Sequence, residues 1–260
     1  MTGELKVSFV QVSLNWEDVN ANLNMLTKMI STIDFDTDLI VLPEMFSTGF
    51  TMKPKNLAED MAGLSVEWLR ETAKSKNCVV TGSLVFKEKG GYYNRLFWMR
   101  PNGTFETYDK RHLFSLVGEE KHYEQGRKRL IVDLKGFKIM PLICYDLRFP
   151  VWSRNDVGYD LALYVANWPE RRSFFWKQLL VARAIENQAY VIGVNRVGFD
   201  GHNIYHSGDS MCLGPLGNVV SAAEVGKEEI VNVIIKKSEL ETVRNKFKFL
   251  DDQDEFEVIT

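Results

Sequence analysis

The chain has 260 residues, 45% of them hydrophobic and 26% charged, which suits a globular protein able to bury a sizeable core and excludes general disorder. Its 35 acidic and 32 basic residues leave a net charge of −3 and are mixed throughout, so no nucleic-acid face is expected and a small molecule is the expected partner. There is no bilayer-length apolar run and no secretory pattern at the first residues, and Cys78, Cys144 and Cys212 are too few and too scattered for a disulfide framework or a paired-cysteine metal site; a cytoplasmic protein without a membrane segment is expected.

The first elements read as strand, helix, strand: residues 5–12, then 20–32, where Val19, Leu23, Leu26 and Ile30 share one helical face, then 38–42. A helix over 65–75 follows. The pattern then changes to strands over 78–86, 92–99 and 104–108, separated by Lys89-Gly90-Gly91 and Pro101-Asn102-Gly103, which are turn sequences suited to hairpins. Residues 129–134 and 137–143 predict a further hairpin across Lys135-Gly136, and Pro150 suits the first turn of a short helix. A strand over 161–166, a helix over 173–187 and a strand over 189–194 restore the alternation of strand and helix. Strands at 210–213, 219–221 and 229–235, a charged helix at 238–247 and an acidic surface arm at 251–257 complete the chain. Without a linker or a composition break, this order predicts one α/β domain over 1–260, with helices covering sheets whose apolar runs are buried on both faces.

Cys144 stands where the apolar run 139–143 stops and the polar turn Tyr145-Asp146-Leu147-Arg148 begins, the position of an exposed nucleophile at a strand end, with a small buried hydrophobe as the alternative. Cys78 and Cys212 lie inside strand-like runs and read as small buried hydrophobes. A thiol is mostly protonated at neutral pH, so a cysteine nucleophile needs a base or a cationic neighbour. Glu44, just after the strand in Leu42-Pro43-Glu44-Met45-Phe46, is a candidate base, and a solvated loop glutamate is the alternative. The stretch Tyr108-Asp109-Lys110-Arg111-His112 supplies a candidate cation in Lys110, able to favour a thiolate and hold an oxyanion, and in His112 a rival Cys-His reading. His122, His202 and His206 read as surface or hydrogen-bonding histidines. Arg148, four residues past Cys144, is a candidate grip for a substrate carboxylate, with an internal pair to Asp146 or Asp160 as the alternative. Phe46, Trp152, Trp168 and Phe174 are candidate pocket walls or plain core.

Three segments, Leu42-Pro43-Glu44-Met45-Phe46-Ser47-Thr48-Gly49-Phe50, Tyr108-Asp109-Lys110-Arg111-His112-Leu113-Phe114 and Ile143-Cys144-Tyr145-Asp146-Leu147-Arg148-Phe149-Pro150, resemble in order the signature segments of the nitrilase superfamily of carbon-nitrogen hydrolases. The likeness extends to Val165-Ala166-Asn167-Trp168-Pro169, to the stretch 182–188 and to Asn195-Arg196-Val197-Gly198. Within that superfamily the sequence looks most like the omega-amidases, which hydrolyse the terminal amide of dicarboxylate monoamides such as 2-oxoglutaramate and 2-oxosuccinamate. The resemblance implies a four-layer α-β-β-α sandwich, a homodimer or larger homo-oligomer, and no metal or organic cofactor. It also implies Cys144 as nucleophile, Glu44 as base, Lys110 and the Tyr145 backbone N–H as oxyanion partners, and a second glutamate, assigned to Glu119 with Glu120 as its neighbour and alternative. Nitrilases proper, N-carbamoyl hydrolases and aliphatic amidases share the triad, and a weakly catalytic binding member of the fold is the reading from outside enzymology.

Overall fold

The computed structural model describes residues 3–259. The chain runs β1 (Glu4–Gln11), α1 (Val19–Ser31), β2 (Leu39–Val41), α2 (Pro54–Leu57), α3 (Leu64–Lys76), β3 (Val79–Glu88), β4 (Gly91–Met99) and β5 (Phe105–Asp109). It continues through β6 (Val132–Leu134), β7 (Phe137–Ile143), β8 (Leu161–Ala166), α4 (Ser173–Asn187), β9 (Tyr190–Asn195), β10 (Val197–Phe199) and β11 (Tyr205–Ser207). The last elements are β12 (Met211–Leu213), β13 (Val219–Ala222), β14 (Glu229–Lys236) and α5 (Lys237–Lys246).

Two six-stranded sheets form, in the orders β14-β1-β2-β3-β4-β5 and β13-β12-β9-β8-β7-β6. The period-2 alternation of side chains divides the first sheet between two cores. Leu5, Val7, Phe9, Leu39 and Val41 enter the core shared with the second sheet, whereas Val10, Val12, Ile40 and Leu42 face Leu23, Leu26 and Ile30 of α1 and Val66, Leu69 and Ala73 of α3. The second sheet carries α4 on its outer side through Trp176, Leu180 and Ala184. This is the four-layer α-β-β-α sandwich, with α1 starting at Asp18, whose side chain accepts the Ala21 N–H at 2.9 Å.

Strand direction explains where chemistry can gather. β1, β2 and β3 are mutually parallel, and β5 runs with them because two antiparallel pairings, β3 to β4 and β4 to β5, restore the direction. In the second sheet β7, β8 and β9 are parallel. Glu44 therefore follows β2 and Lys110 follows β5 at one rim, and Cys144, Asn167 and Asn195 sit at the carboxyl ends of β7, β8 and β9 or just beyond, where parallel strands leave an open crevice.

Several expectations need correction. No helix begins at Pro150; the helical turn comes earlier, as a 3-10 turn over Cys144–Arg148, because Asp146 folds back onto the Ile143 N–H, and the chain then passes through simple turns. The strand expected over 129–134 pairs only at Val132–Leu134, Arg129 being drawn away to Asp156. The short hairpin of β10 and β11 and the 3-10 turns Ser115–Val117 and Glu119–Lys121 had no periodic signal long enough to be read. The acidic end is exposed over most of its length, as expected. Among the described residues no helix is long and apolar enough to cross a membrane.

α4 sits directly on the backbone of β9. A Cβ at Gly193 would lie 2.5 Å from Leu180 Cδ1 and 2.7 Å from Trp176 Cζ2. Gly193→Val should therefore force α4 outward and lower the stability by about 1–3 kcal/mol, as overpacking of a close-packed core does. Urea unfolding measures this, and an unchanged midpoint would show that the helix is not seated as described.

Candidate active site

Lys110 leaves β5 and becomes one of the largest fully buried side chains of the molecule. Its Nζ donates to Glu44 Oε1 at 2.9 Å and lies 3.0 and 2.9 Å from Glu119 Oε1 and Oε2. Burial alone would push its pKa down, but the charges of Glu119 and Glu44 outweigh that and hold it raised, so the ammonium stays charged. The Phe50 ring lies 5.0 Å from Nζ on a further side.

Glu44 is held at every oxygen. Oε1 also accepts Asn94 Nδ2 at 2.8 Å, Oε2 accepts the Asn167 backbone N–H at 2.8 Å, and the Glu44 carbonyl accepts Asn167 Nδ2 at 2.6 Å. Glu119 sits in its own 3-10 turn, buried, and accepts the Phe114 N–H. Burial pushes its pKa up, Lys110 opposes, and the charge of Glu44 adds to the rise. Its neighbour Glu120 is exposed, so of the two it is Glu119 that meets Lys110.

Cys144 turns out of β7 with φ +44°, a left-handed conformation that a non-glycine residue keeps only when its surroundings impose it. The imposing group is Asp146, which the sequence reading considered only as a partner for Arg148. Its Oδ2 accepts the Tyr108 hydroxyl at 2.7 Å and the Ile143 N–H at 3.1 Å, and its Oδ1 accepts the His112 N–H at 3.0 Å. Arg183 of α4 donates to the Leu147 carbonyl at 2.6 Å and pins the turn from behind. Burial pushes the Cys144 thiol well above its ordinary pKa, and Glu44 adds to the rise; Lys110 and the Asn167 backbone N–H pull the other way without reversing it. Cys78 and Cys212 are buried thiols pushed up to about 12 by desolvation, in keeping with their reading as hydrophobes.

A narrow cavity of ≈ 60 Å³ opens onto Cys144 and Lys110. Its walls include Phe50, Phe114, Tyr145, Trp168, Arg148 and Arg172. Of the aromatic candidates, Trp168 lines it, held by Asn195, which accepts the Trp168 N–H at 2.7 Å. The other three do not. Phe46 is turned into the helix-side core against Trp68, Trp152 is buried with its Nε1 donating to Tyr108 at 2.9 Å, and Phe174 is 67% exposed on the first turn of α4. Phe50 and Phe114 were missed as walls although both lie within the signature segments.

His112 does not line the cavity: its ring stacks on Phe149 with centroids 3.7 Å apart, and its Nδ1 lies 2.8 Å from Asp146 Oδ1. The histidine that does reach the cavity is His206 of β11, buried and pushed down to about 4, hence neutral at pH 7. Its hairpin is anchored by Arg196, which donates to the Phe199 carbonyl at 2.8 Å and the Leu14 carbonyl at 3.2 Å. Arg148 pairs with neither Asp146 nor Asp160, since Asp160 is occupied by Lys237 and Arg244. Its guanidinium instead lies over the rings of Trp168 and Phe175, at 5.0 and 5.3 Å. Among the described residues no group of three or more His, Cys, Asp and Glu side chains is arranged to hold a metal ion.

The carbon-nitrogen hydrolase family model matches residues 6–245. The omega-amidase YafV of Escherichia coli K12 is 44% identical over 254 residues, covering 97% of this chain and 98% of that protein. The 2-oxoglutaramate amidase of Bacillus subtilis is 33% identical over 252 residues, 95% of this chain and 96% of that protein. A CN-hydrolase superfamily protein from Xanthomonas campestris, solved with an arsenic adduct in its active site, has a TM-score of 0.96 at 40% identity and covers 98% of this chain and 99% of its own.

The electrostatics of the cluster give a signed expectation. Glu44 raises the Cys144 pKa, so Glu44→Gln should let the thiol ionise at lower pH than in the unmodified protein. Ultraviolet thiolate absorbance, taken as a difference against the same titration with Cys144→Ala, reads that ionisation. A titration that stays put or moves upward would mean that the carboxylate does not face the sulfur.

Proposed function

The chain belongs to the carbon-nitrogen hydrolase family, it is an amide-hydrolysing enzyme, and from that premise we infer that it is an omega-amidase in which Cys144, Glu44, Lys110 and Glu119 carry the chemistry. The observation that carries this reading is the meeting, in one cavity, of a thiol at a strained strand end with an ammonium clamped between two buried carboxylates. The match to omega-amidases across nearly the whole length supports the substrate class.

The steps follow from the protonation states. The thiol is neutral at rest, so attack needs a base: Glu44 takes the proton as Sγ bonds to the amide carbon. The carbonyl oxygen becomes an oxyanion beside Lys110 Nζ and the Tyr145 backbone N–H, groups already in position before the charge develops. Glu44 returns the proton to nitrogen, the C–N bond breaks, and ammonia leaves a thioester on Cys144. Glu44 then takes a proton from water, the hydroxide adds to the thioester carbon, and the C–S bond breaks. Reprotonation of the sulfur by Glu44 restores the thiol as the carboxylic acid departs. Glu119 holds Lys110 in place and carries no proton through the cycle. Arg148, free of any internal acid, supports a substrate bearing a carboxylate at its far end, such as 2-oxoglutaramate or 2-oxosuccinamate.

The same reading makes the chain one catalytic domain. Its three free cysteines support a reducing, cytoplasmic setting. The family resemblance also supports a homodimer or larger assembly, which light scattering over a dilution series tests: a monomer at all concentrations would refute it.

Ammonia release from a panel of ω-amides, neutral amides and nitriles tests the activity itself. Cys144→Ala should abolish release with circular dichroism unchanged, and Lys110→Met and Glu44→Gln should each lower turnover by roughly 100-fold or more. His112→Ala should retain most of the activity, although it loosens the Asp146 contacts. A His112→Ala variant as inactive as Cys144→Ala, beside an active Glu44→Gln, would overturn the assignment in favour of a Cys-His pair.

A further inference from the structure

We propose that Arg172, together with Arg148, forms a two-guanidinium clamp for the substrate's distal carboxylate, making Arg172 a specificity-determining residue; this rests on the omega-amidase reading above.

Arg172 ends the 3-10 turn Glu170–Arg172 and precedes α4, so its backbone is fixed from both sides. Trp168 Nε1 donates to its carbonyl at 2.8 Å, which ties it to the same indole over which the Arg148 guanidinium lies. The Arg172 guanidinium lies 5.1 Å from the centre of the Phe114 ring, on the cavity wall. Both guanidinium-bearing residues line the cavity that holds Cys144 and Lys110. They approach it on different elements, Arg148 from the turn after β7 and Arg172 from the start of α4.

Among the described residues no carboxylate forms a salt bridge with either guanidinium, and several acids of the surrounding elements have other partners. Asp146 holds Tyr108 and His112, Glu186 holds Arg183, and Asp209 holds Lys177. Asp200 also lines the cavity, but its Oδ1 accepts the N–H groups of His202 and Ile204 at 2.8 and 2.9 Å and closes its own hairpin. Burial lowers the Arg172 pKa, and the charges of Arg171 and Arg148 lower it further against a smaller opposing pull from Cys144. Two half-buried guanidiniums on one cavity wall without a salt-bridge partner repel each other, and a substrate carboxylate held by both would relieve that repulsion.

The bland alternative is an arginine that merely packs on Phe114. Packing alone would place the aliphatic stem on the ring and leave the charged head in water. Here the head itself lies over the ring and faces the cavity, and a second guanidinium does the same over Trp168. A planar fork suits a carboxylate better than a point charge would, because it supplies parallel N–H donors. With one end of the substrate held at Cys144 and the other between Arg148 and Arg172, the clamp selects by chain length as well as by charge.

The test compares succinamate with succinamide, which replaces the carboxylate by a neutral amide of nearly the same shape. Kinetics are measured for the full-length protein and for Arg172→Met, Arg172→Lys, Arg148→Met and the Arg148→Met/Arg172→Met double variant. Arg172→Met should lower kcat/KM for succinamate roughly 10- to 100-fold, mainly through KM, as the loss of a charge-assisted contact does. Succinamide should change by less than about 3-fold, and Arg172→Lys should recover part of the loss. The double variant should lose less than the product of the two single losses, because both guanidiniums hold one group. Equal losses on both substrates, or none on succinamate, would overturn the clamp while leaving the omega-amidase reading intact. A wild-type protein that prefers succinamide would overturn that reading itself, and the clamp with it.

Discussion

The Lys110 ammonium, buried between Glu44 and Glu119, is the interaction on which the rest of the arrangement depends. Three ionised groups removed from water are costly unless every charge is met at close range, and removing one partner from such a set costs about 3–5 kcal/mol. That condition couples distant parts of the chain. Glu44 comes from the end of β2, Lys110 from the end of β5 and Glu119 from a 3-10 turn, while Asn94 in β4 and Asn167 after β8 donate to Glu44 from two different sheets. The Lys110 backbone N–H itself bonds to the Asn94 carbonyl at 3.0 Å, so the strand pairing that builds the first sheet also sets the ammonium's height. The two sheets cannot slide past each other without breaking these contacts.

Cys144 is placed by a separate device. Its strained backbone is held by Asp146 and by Arg183 from α4, and neither touches the carboxylates. Glu44 and Cys144 are therefore held by different contacts, and Asp146 links the two sets by also holding Tyr108 and His112 on either side of Lys110. This has a chemical result. Because burial and Glu44 both favour the neutral thiol, the resting cluster does not store an additional negative charge beside two carboxylates.

Much of this was legible in the sequence, for identifiable physical reasons. Elements with strong periodicity, such as β7, β8 and α4, fell within their expected bounds because apolar runs of strand length and an amphipathic helix leave few other ways to bury their side chains. Glu44 and Cys144 could be read as candidates because each stands just past an apolar strand, and Lys110 because it opens a run of basic and titratable residues after a hairpin strand. Glu119 was placed only by resemblance, since a glutamate in a polar turn carries no sign of its burial. Asp146 and Arg183 were hidden for a related reason: their function is to hold backbone, and backbone partners are invisible in a residue pattern. Phe46, Trp152 and Phe174 show the limit for aromatics, since hydrophobicity states that a ring is buried or not and gives no direction. One residue of backbone turn at Met45, with φ +45°, suffices to send Phe46 into the helix-side core rather than toward Cys144.

Charge is distributed along the cavity in a way that orients its occupant. At the inner end stand the Glu44 and Glu119 carboxylates with the Lys110 ammonium between them. At the other end stand Arg148 and Arg172, with Arg171 exposed at the mouth, and no acid pairs with any of them among the described residues. A molecule with a neutral amide at one end and a carboxylate at the other meets a matched environment in only one orientation. Reversed, its carboxylate would face Glu44 and Glu119 in a water-poor pocket, where like charges at short range are strongly unfavourable. The same gradient acts on the products. Hydrolysis leaves a carboxylic acid at the inner end, and once that acid gives up its proton a second carboxylate stands beside Glu44, where like charges favour release.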